Sequence, residues 1–299
     1  MLLESVLTGA VRGGTSILYP TLGEVISERA GVVNLGTEGC MLAGALTAYA
    51  VGIESGSVWL GVVAGMAAGA VLGLLHAFMV ITRRANPIAT GLVVTFLALG
   101  LTALFGQDYV GQGVNAMRPV AVPGLSDLPF LGPILFDHDP LTYLSFAAAP
   151  AIWWVLFRTR AGLNIRAAGE RPEVLEAFGT SPARVRYAAV VIGGALAGLG
   201  GAQLSTAFTL NWSERMTVGR GFVAVALVIF AAWDPLKAVG GAYLFSGAIS
   251  LQLQLQARGW ELSRYLLEAV PYLTVIIVLV ALSHRRRHAA PESLGRVLA

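Results

Sequence analysis

Charge is scarce in this sequence. Only 12% of its 299 residues are Asp, Glu, Lys or Arg, about half the share of an ordinary soluble domain. That does not suit a water-exposed globule of this size. With 56% hydrophobic residues, a disordered chain is excluded as well. Cysteine is nearly absent: Cys40 stands alone, so no internal disulfide can form. Histidine is sparse, and His76, His138, His284 and His288 are too scattered for a Cys/His metal site. No Gly-x-x-x-x-Gly-Lys-Ser/Thr loop is present, so the chain does not bind ATP by that route. Asp-rich prenyl-transfer motifs are missing too, and Asp137-His138-Asp139 reads as a solvated piece of a polar stretch. No Ser stands in a recognisable nucleophile turn. His76 facing Ser16, Ser145 or Ser205 would suit an intramembrane protease, but a hydrogen-bonded interior His76 is the plainer reading.

What the chain has in quantity is long apolar runs, and its mean hydropathy is +0.72. A membrane helix needs roughly 20 largely apolar residues. Val58–Ile81, Ile88–Phe105, Leu141–Phe157, Tyr187–Leu210 and Ala238–Ala257 meet that need. Gly39–Ile53, Gly221–Trp233 and Ala269–Ser283 are shorter, and Ser5–Leu22 is the weakest because it holds Arg12, Gly13, Gly14 and Pro20. The runs predict an all-α polytopic membrane protein of about nine crossings. They are too long and unbroken for an outer-membrane barrel. Met1–Ser5 carries Glu4 and no basic residue, so the first segment reads as retained rather than as a cleaved signal.

The few charges are sorted by sign. Arg158–Arg186 holds six Arg, Thr82–Asn86 holds Arg83 and Arg84, Lys237 follows Trp233, and the tail carries Arg285, Arg286 and Arg287. Gly106–Pro140 has four Asp and one Arg. The positive-inside rule puts the Arg-rich segments in the cytoplasm and residues 106–140 outside. Nine crossings then give an external N-terminus and a cytoplasmic C-terminal tail at 284–299. The same rule accounts for the net charge of +3, and nucleic acid is not an expected partner.

Two segments interrupt the apolar pattern. In Gly23–Gly39, Glu24, Glu28 and Arg29 recur at helical spacing, which allows a Glu–Arg pair on one face. Gly31 and Gly36 can break the helix and leave Val32–Leu35 as a non-helical link. Such breaks line solute sites in transporters; a plain cytoplasmic turn is the alternative. The second segment is Gly169–Gly179. Pro172 suits a first helical position, Glu173 the positive helix end, and Gly179 the stop. Val174, Leu175 and Phe178 fall on one face of this short helix, which must pack on its own bundle or on a partner. The small-residue run Gly193–Ala202 reads as a tight helix contact. Gly91-Leu92-Val93-Val94-Thr95 resembles Gly221-Phe222-Val223-Ala224-Val225, which would fit an inverted repeat.

The stretch Leu22–Met41 resembles the signature of ABC-transporter permeases for nucleosides and simple sugars, related to ribose and branched-chain amino acid permeases. The likeness extends to Gly162–Glu170 and to Gly193–Ala202, and covers nearly the whole chain. It implies one permease domain over residues 1–299 with the ABC-importer permease fold, in a bacterial cytoplasmic membrane. It implies a nucleoside path worked by alternating access, with a simple sugar or branched-chain amino acid as the alternative solute; a channel is a more distant rival. No catalytic residue, metal or cofactor is expected on this chain, since ATP and Mg would sit on a partner. The implied partners are a second homologous permease, a cytoplasmic ABC ATPase, an external substrate-binding lipoprotein or periplasmic receptor, and membrane lipid. Residues 158–186 would be the coupling loop, with Glu170, Arg171, Glu173, Val174, Leu175, Glu176, Phe178 and Gly179 at the ATPase. Asn34, Thr37, Glu38, Asn86, Thr90 and Thr95 are the candidates for the path, because amides, hydroxyls and a carboxylate can bond ribose hydroxyls and base edges. For Asn34, capping the helix that follows is an equal alternative.

Overall fold

The computed structural model describes residues 2–113, 116–258, 269–274, 276–277, 280 and 290–294. The chain is a helical bundle. Its helices are α1 (Leu2–Arg29), α2 (Thr37–Ser55), α3 (Val58–Ala77), α4 (Pro87–Gly106), the short α5 (Leu131–Leu135), α6 (Pro140–Arg158), α7 (Arg160–Glu170), α8 (Pro172–Ala177), α9 (Pro182–Gln203), α10 (Arg220–Phe230) and α11 (Pro235–Ala257). Among the described residues, four helical stretches are long and apolar enough to cross a membrane: Val58–Thr82, Pro87–Tyr109, Pro140–Arg158 and Pro182–Phe208. α1, α2 and α11 match them in length but carry more polar and small residues. Part of the last expected crossing and most of the tail, including Arg285 to Arg287, lie outside the described residues.

The segment with the least apolar character forms the longest helix. Gly13 and Gly14 do not break α1, because α11 fills the space they leave, with Ser246 against Gly13 and Tyr243 against Gly14. Pro20 removes the amide that would bond the Ser16 carbonyl, and Gly200 of α9 closes on both. Arg12, near the start of the helix, donates to the Asp137 carbonyl at 3.0 Å.

The small-residue run of α9 is the spine of the bundle. Gly193 lies on Gly23 of α1, Gly194 on Gly69 and Gly73 of α3, and Gly198 on Gly65, Gly69 and Gly44. A Cβ at any of these positions would press on the backbone of the facing helix. Glycine therefore sets the helix separation, and close van der Waals contact supplies the association.

One expected crossing is corrected by the structure. Gly221–Trp233 is not a full span: α10 is only 11 residues long, or about 16 Å. The chain leaves it through left-handed backbone at Ala232 and Trp233. The segment 209–219 that leads into α10 is irregular. It runs from Trp212, which packs beside Gly106, down to Thr217, which bonds Glu38, whose neighbour Gly39 lies on Thr95 and Ala98. Along α4 that drop covers the residues from 106 to 95, about 16 Å.

The similarity of the Gly91 and Gly221 segments has a structural counterpart. α3 and α9 each end in a five-residue π-helical turn, Phe78–Thr82 and Leu204–Phe208. Each is followed by a connection and then by α4 or α10, and those two helices run in opposite directions.

The charged segments gather at opposite ends. The acidic segment 107–139 carries the two-stranded sheet β1 (Val120–Ala121) and β2 (Asp137–His138). It is less solvated than its composition suggests. His138 is fully buried with Nε2 on the Ile134 carbonyl at 2.7 Å. Asp139 is buried and caps α6 through the Thr142 amide and hydroxyl. The Arg-rich end holds α7, α8 and the tail residue Ser293, which bonds the Gly169 carbonyl.

Candidate functional site

Gly31 and Gly36 bracket the expected break. α1 stops at Arg29, Gly31 takes φ +88°, and α2 resumes at Thr37. The exposed backbone polar groups of this link lie inside the bundle, where each needs a partner. Glu24 supplies two. Its Oε1 accepts from the Asn34 amide at 2.7 Å, and its Oε2 from the Thr37 hydroxyl at 3.0 Å. Asn34 Oδ1 accepts from the Gly36 amide at 2.9 Å, and the Asn34 carbonyl accepts from the Thr37 amide and shares the single Thr37 hydroxyl proton with Glu24. His76 Nε2 meets the Val33 carbonyl at 3.0 Å, and Thr95 donates to the Leu35 carbonyl at 3.1 Å. Gly91 lets α4 lie directly on Leu35 and Gly36. Asn34 thus closes a turn just before α2, and its Nδ2 is buried without a bond.

Glu38, in the first turn of α2, binds a second helix start. Its Oε1 accepts from the Thr217 hydroxyl at 2.5 Å and the Gly219 amide at 3.0 Å, and its Oε2 from the Gly221 amide at 2.6 Å. One carboxylate therefore faces the positive ends of both α2 and α10. Gly221 is required here, because any side chain would run into the Glu38 backbone. Arg220 turns away, donating to Ser16 Oγ at 3.0 Å and lying over the Phe208 ring.

Four of the six candidate path residues, Asn34, Thr37, Glu38 and Thr95, come together here and are buried. The other two do not join them. Asn86 is exposed and caps α4 through the Ala89 amide, and Thr90 is half-buried. The cluster serves as a joint holding three helix ends, and its oxygens are committed to backbone. Glu24, His76, Thr217 and Gly219 belong to it and were not among the expected site residues. The partners of His76, Thr217 and Gly219 lie far away in sequence, and only the Gly91/Gly221 likeness hinted at the connection.

The joint reaches the Arg-rich end. Glu28 accepts from the Trp233 indole at 2.5 Å, and Arg29 donates to the Trp233 carbonyl at 3.1 Å. The structure thus gives Glu28 and Arg29 the same residue, Trp233, as a partner, in place of the Glu–Arg pair on one face that the segment allowed. Arg186 donates to the Ala30 carbonyl at 3.2 Å and the Ala168 carbonyl at 2.8 Å, and Gly169 packs on Gly31. α7 and the end of α1 are therefore bolted together. α8 begins at Pro172 and is followed by Gly179 at φ +73°. Phe178 is 82% exposed and Val174 44%. Glu170, Arg171, Glu173, Glu176 and Gly179 are exposed too. Leu175, expected on the same face, is 4% exposed and packs into its own chain. One residue on from Val174, it points about 100° around the helix, toward α7 and α9.

A broken helix, a half-helix and an exposed short helix at the Arg-rich end suit a membrane transport subunit. The family described as branched-chain amino acid transport system / permease component matches residues 6–279. The chain belongs to this permease family. It is 39% identical to the putative glucose ABC transporter permease protein TsgC13 of Haloferax volcanii, over 96% of this chain and 95% of the relative. It is 34% identical to the guanosine ABC transporter permease protein NupQ of Bacillus subtilis, over 93% and 91%. It is 32% identical to the nucleoside ABC transporter permease protein NupC of Lactococcus lactis, over 93% and 92%. The same three organisms each hold a second permease, 27%, 23% and 22% identical to this chain in that order. No solved structure matches. The permease is a multi-pass membrane protein and an ABC transporter permease subunit.

Proposed function

We propose that the permease forms half of the solute path of an ATP-driven nucleoside importer. The observation that carries this is the Gly23–Gly39 segment. It has the pattern of nucleoside permeases, and it forms the joint on which α1, α2 and α10 meet. Guanosine and nucleoside permeases align with nearly the whole chain. A simple sugar is the second reading, favoured by the glucose permease at 39% identity. The paired relatives in three organisms support a second, homologous permease as the other half of the path.

The Arg-rich end faces the cytoplasm of a bacterial cell in this reading, and α8 inserts Val174 and Phe178 into a cytoplasmic ATPase that carries ATP and Mg. Motion of α8 passes through α7, Gly169 and Arg186 to the end of α1. From there it reaches the broken joint and α10. Alternating access follows as a rocking of packed helices about that joint. An external receptor delivers solute at the acidic end.

The test is uptake by the assembled transporter in liposomes. Guanosine should accumulate only with receptor outside and ATP at the ATPase. Glucose accumulation in its place would select the sugar reading. Uptake by the permease alone would indicate a channel or secondary carrier.

A further inference from the structure

The segment 209–219 leaves a charge problem unsolved within this chain. Asn211, Ser213, Glu214 and Arg215 are exposed, and Glu214 and Arg215 lie alongside a helix apolar and long enough to cross a membrane. Glu214 and Arg215 lie against Leu99, Gly100, Thr102 and Ala103 of α4, where they line a small cavity of about 190 Å³. Those α4 residues stand three to seven positions below Gly106, or about 5–10 Å into the apolar layer. Among the described residues, neither charged side chain has a hydrogen bond or an ion pair.

Lipid cannot solvate irregular backbone or paired unlike charges at that depth; both are tolerated only inside protein or against water. The backbone is also held in an unfavourable form. Leu210, Arg215 and Val218 have φ of 56°, 56° and 46°, a region costly for side chains with a Cβ and worst for β-branched valine. Such strain persists where the surrounding structure enforces it, and it gathers at ligand-contacting sites.

We propose that Glu214 and Arg215 form the outer polar wall of the solute path and bind the sugar ring of the solute through adjacent hydroxyls. The inference rests on the reading of the chain as a nucleoside or sugar permease. A carboxylate accepts from hydroxyls and a guanidinium donates to their oxygens, so the pair matches a vicinal diol, which ribose and glucose share. Gly100 and Ala103 keep the opposite wall small. Glu38 holds the lower end of the segment in place and takes no part in binding.

The test uses the whole transporter in liposomes, with Cys40→Ala removing the single cysteine of this chain. Arg215→Cys should react with a membrane-impermeant methanethiosulfonate from the receptor side. Saturating guanosine or glucose should slow the reaction at least about tenfold, and the effective protectant identifies the source of the diol. In uptake, Glu214→Gln and Arg215→Gln should each raise KM about tenfold or more, the size expected for losing a charged hydrogen bond. Melting temperature and ATPase assembly should stay unchanged, and Arg215→Lys should restore most of the loss. No reaction in any nucleotide state would place the pair in a dry subunit interface and overturn the proposal. Reaction that neither solute slows, with KM unchanged, would do the same. The nucleoside reading fails separately, if the unaltered transporter moves glucose but no guanosine.

Discussion

Glu38 offers the sharpest test of how this permease is held together. Its carboxylate satisfies three donors, the Thr217 hydroxyl and the amides of Gly219 and Gly221, in a site where Glu38 is 5% exposed. Glu38→Ala would orphan all three. At about 1–3 kcal/mol per unsatisfied buried donor, the gross loss is roughly 3–9 kcal/mol, reduced where the Thr217 hydroxyl rotates to another acceptor. The interaction of the negative charge with two helix starts adds about 0.3–1 kcal/mol at each. Glu38→Gln keeps the shape and one acceptor oxygen but turns an NH2 group toward one donor, which costs about 1–3 kcal/mol for that lost bond. At about 2 °C per kcal/mol for a chain this long, the Gln variant should melt about 2–6 °C below the parent and the Ala variant clearly lower still. The assay is heating of the purified transporter in detergent, followed by size-exclusion chromatography. Hydrogen exchange at residues 219–221 should rise in the same order. If both variants melt within a degree of the parent and those amides stay protected, the carboxylate does not hold the half-helix and the joint is wrongly described.

Three other outcomes follow from the same structure. Gly198→Ala places a methyl against the Gly65 and Gly69 backbones, so it should cost about 1–3 kcal/mol by overpacking; a melting temperature equal to the parent's would show that the helices can separate freely. Phe178→Asp should abolish uptake and pull-down of the ATPase while leaving the melting temperature within a degree, because Phe178 touches little of its own chain; normal uptake would end the docking role of α8. Burial holds the pKa of His138 below the ordinary histidine value. The unfolded chain therefore takes up the proton first, and the contribution of neutral His138 is present above about pH 6.5. It is lost as the pH falls toward the lower folded value. Melting temperature should drop between pH 7.5 and 5, less steeply in His138→Asn; parallel slopes would contradict the assignment.

Much of the architecture was readable because hydropathy and glycine report on local needs. Val58–Ile81 and Leu141–Phe157 match their helices within a few residues. Gly31 and Gly36 marked the break, the first because the chain leaves α1 through φ +88°, the second because Asn34 and Val94 leave no room for a side chain. Pro172 and Gly179 marked the ends of α8. The errors came where a local signal competed with a distant contact. Gly13, Gly14 and Pro20 lower the intrinsic helicity of α1, but α9 and α11 pack into the gaps they leave. Leu175 has the hydrophobicity of a docking residue, and only the placement of α7 and α9 turns it inward. Gly221–Trp233 is apolar enough to suggest a span, but backbone bonds to Glu38 start its helix halfway through.

The sequence by itself determined that this is a membrane protein, which end carries the Arg-rich segments, and where the first long helix breaks. Those properties depend on composition, charge placement and backbone freedom, all written residue by residue. Only the tertiary structure decided what the break is for. Glu24, Glu38, His76, Thr95 and Thr217 lie as far as 193 positions apart, and no periodicity connects them. They converge because a non-helical backbone inside a bundle must find hydrogen-bond partners, and the helices able to supply them come from both halves of the chain.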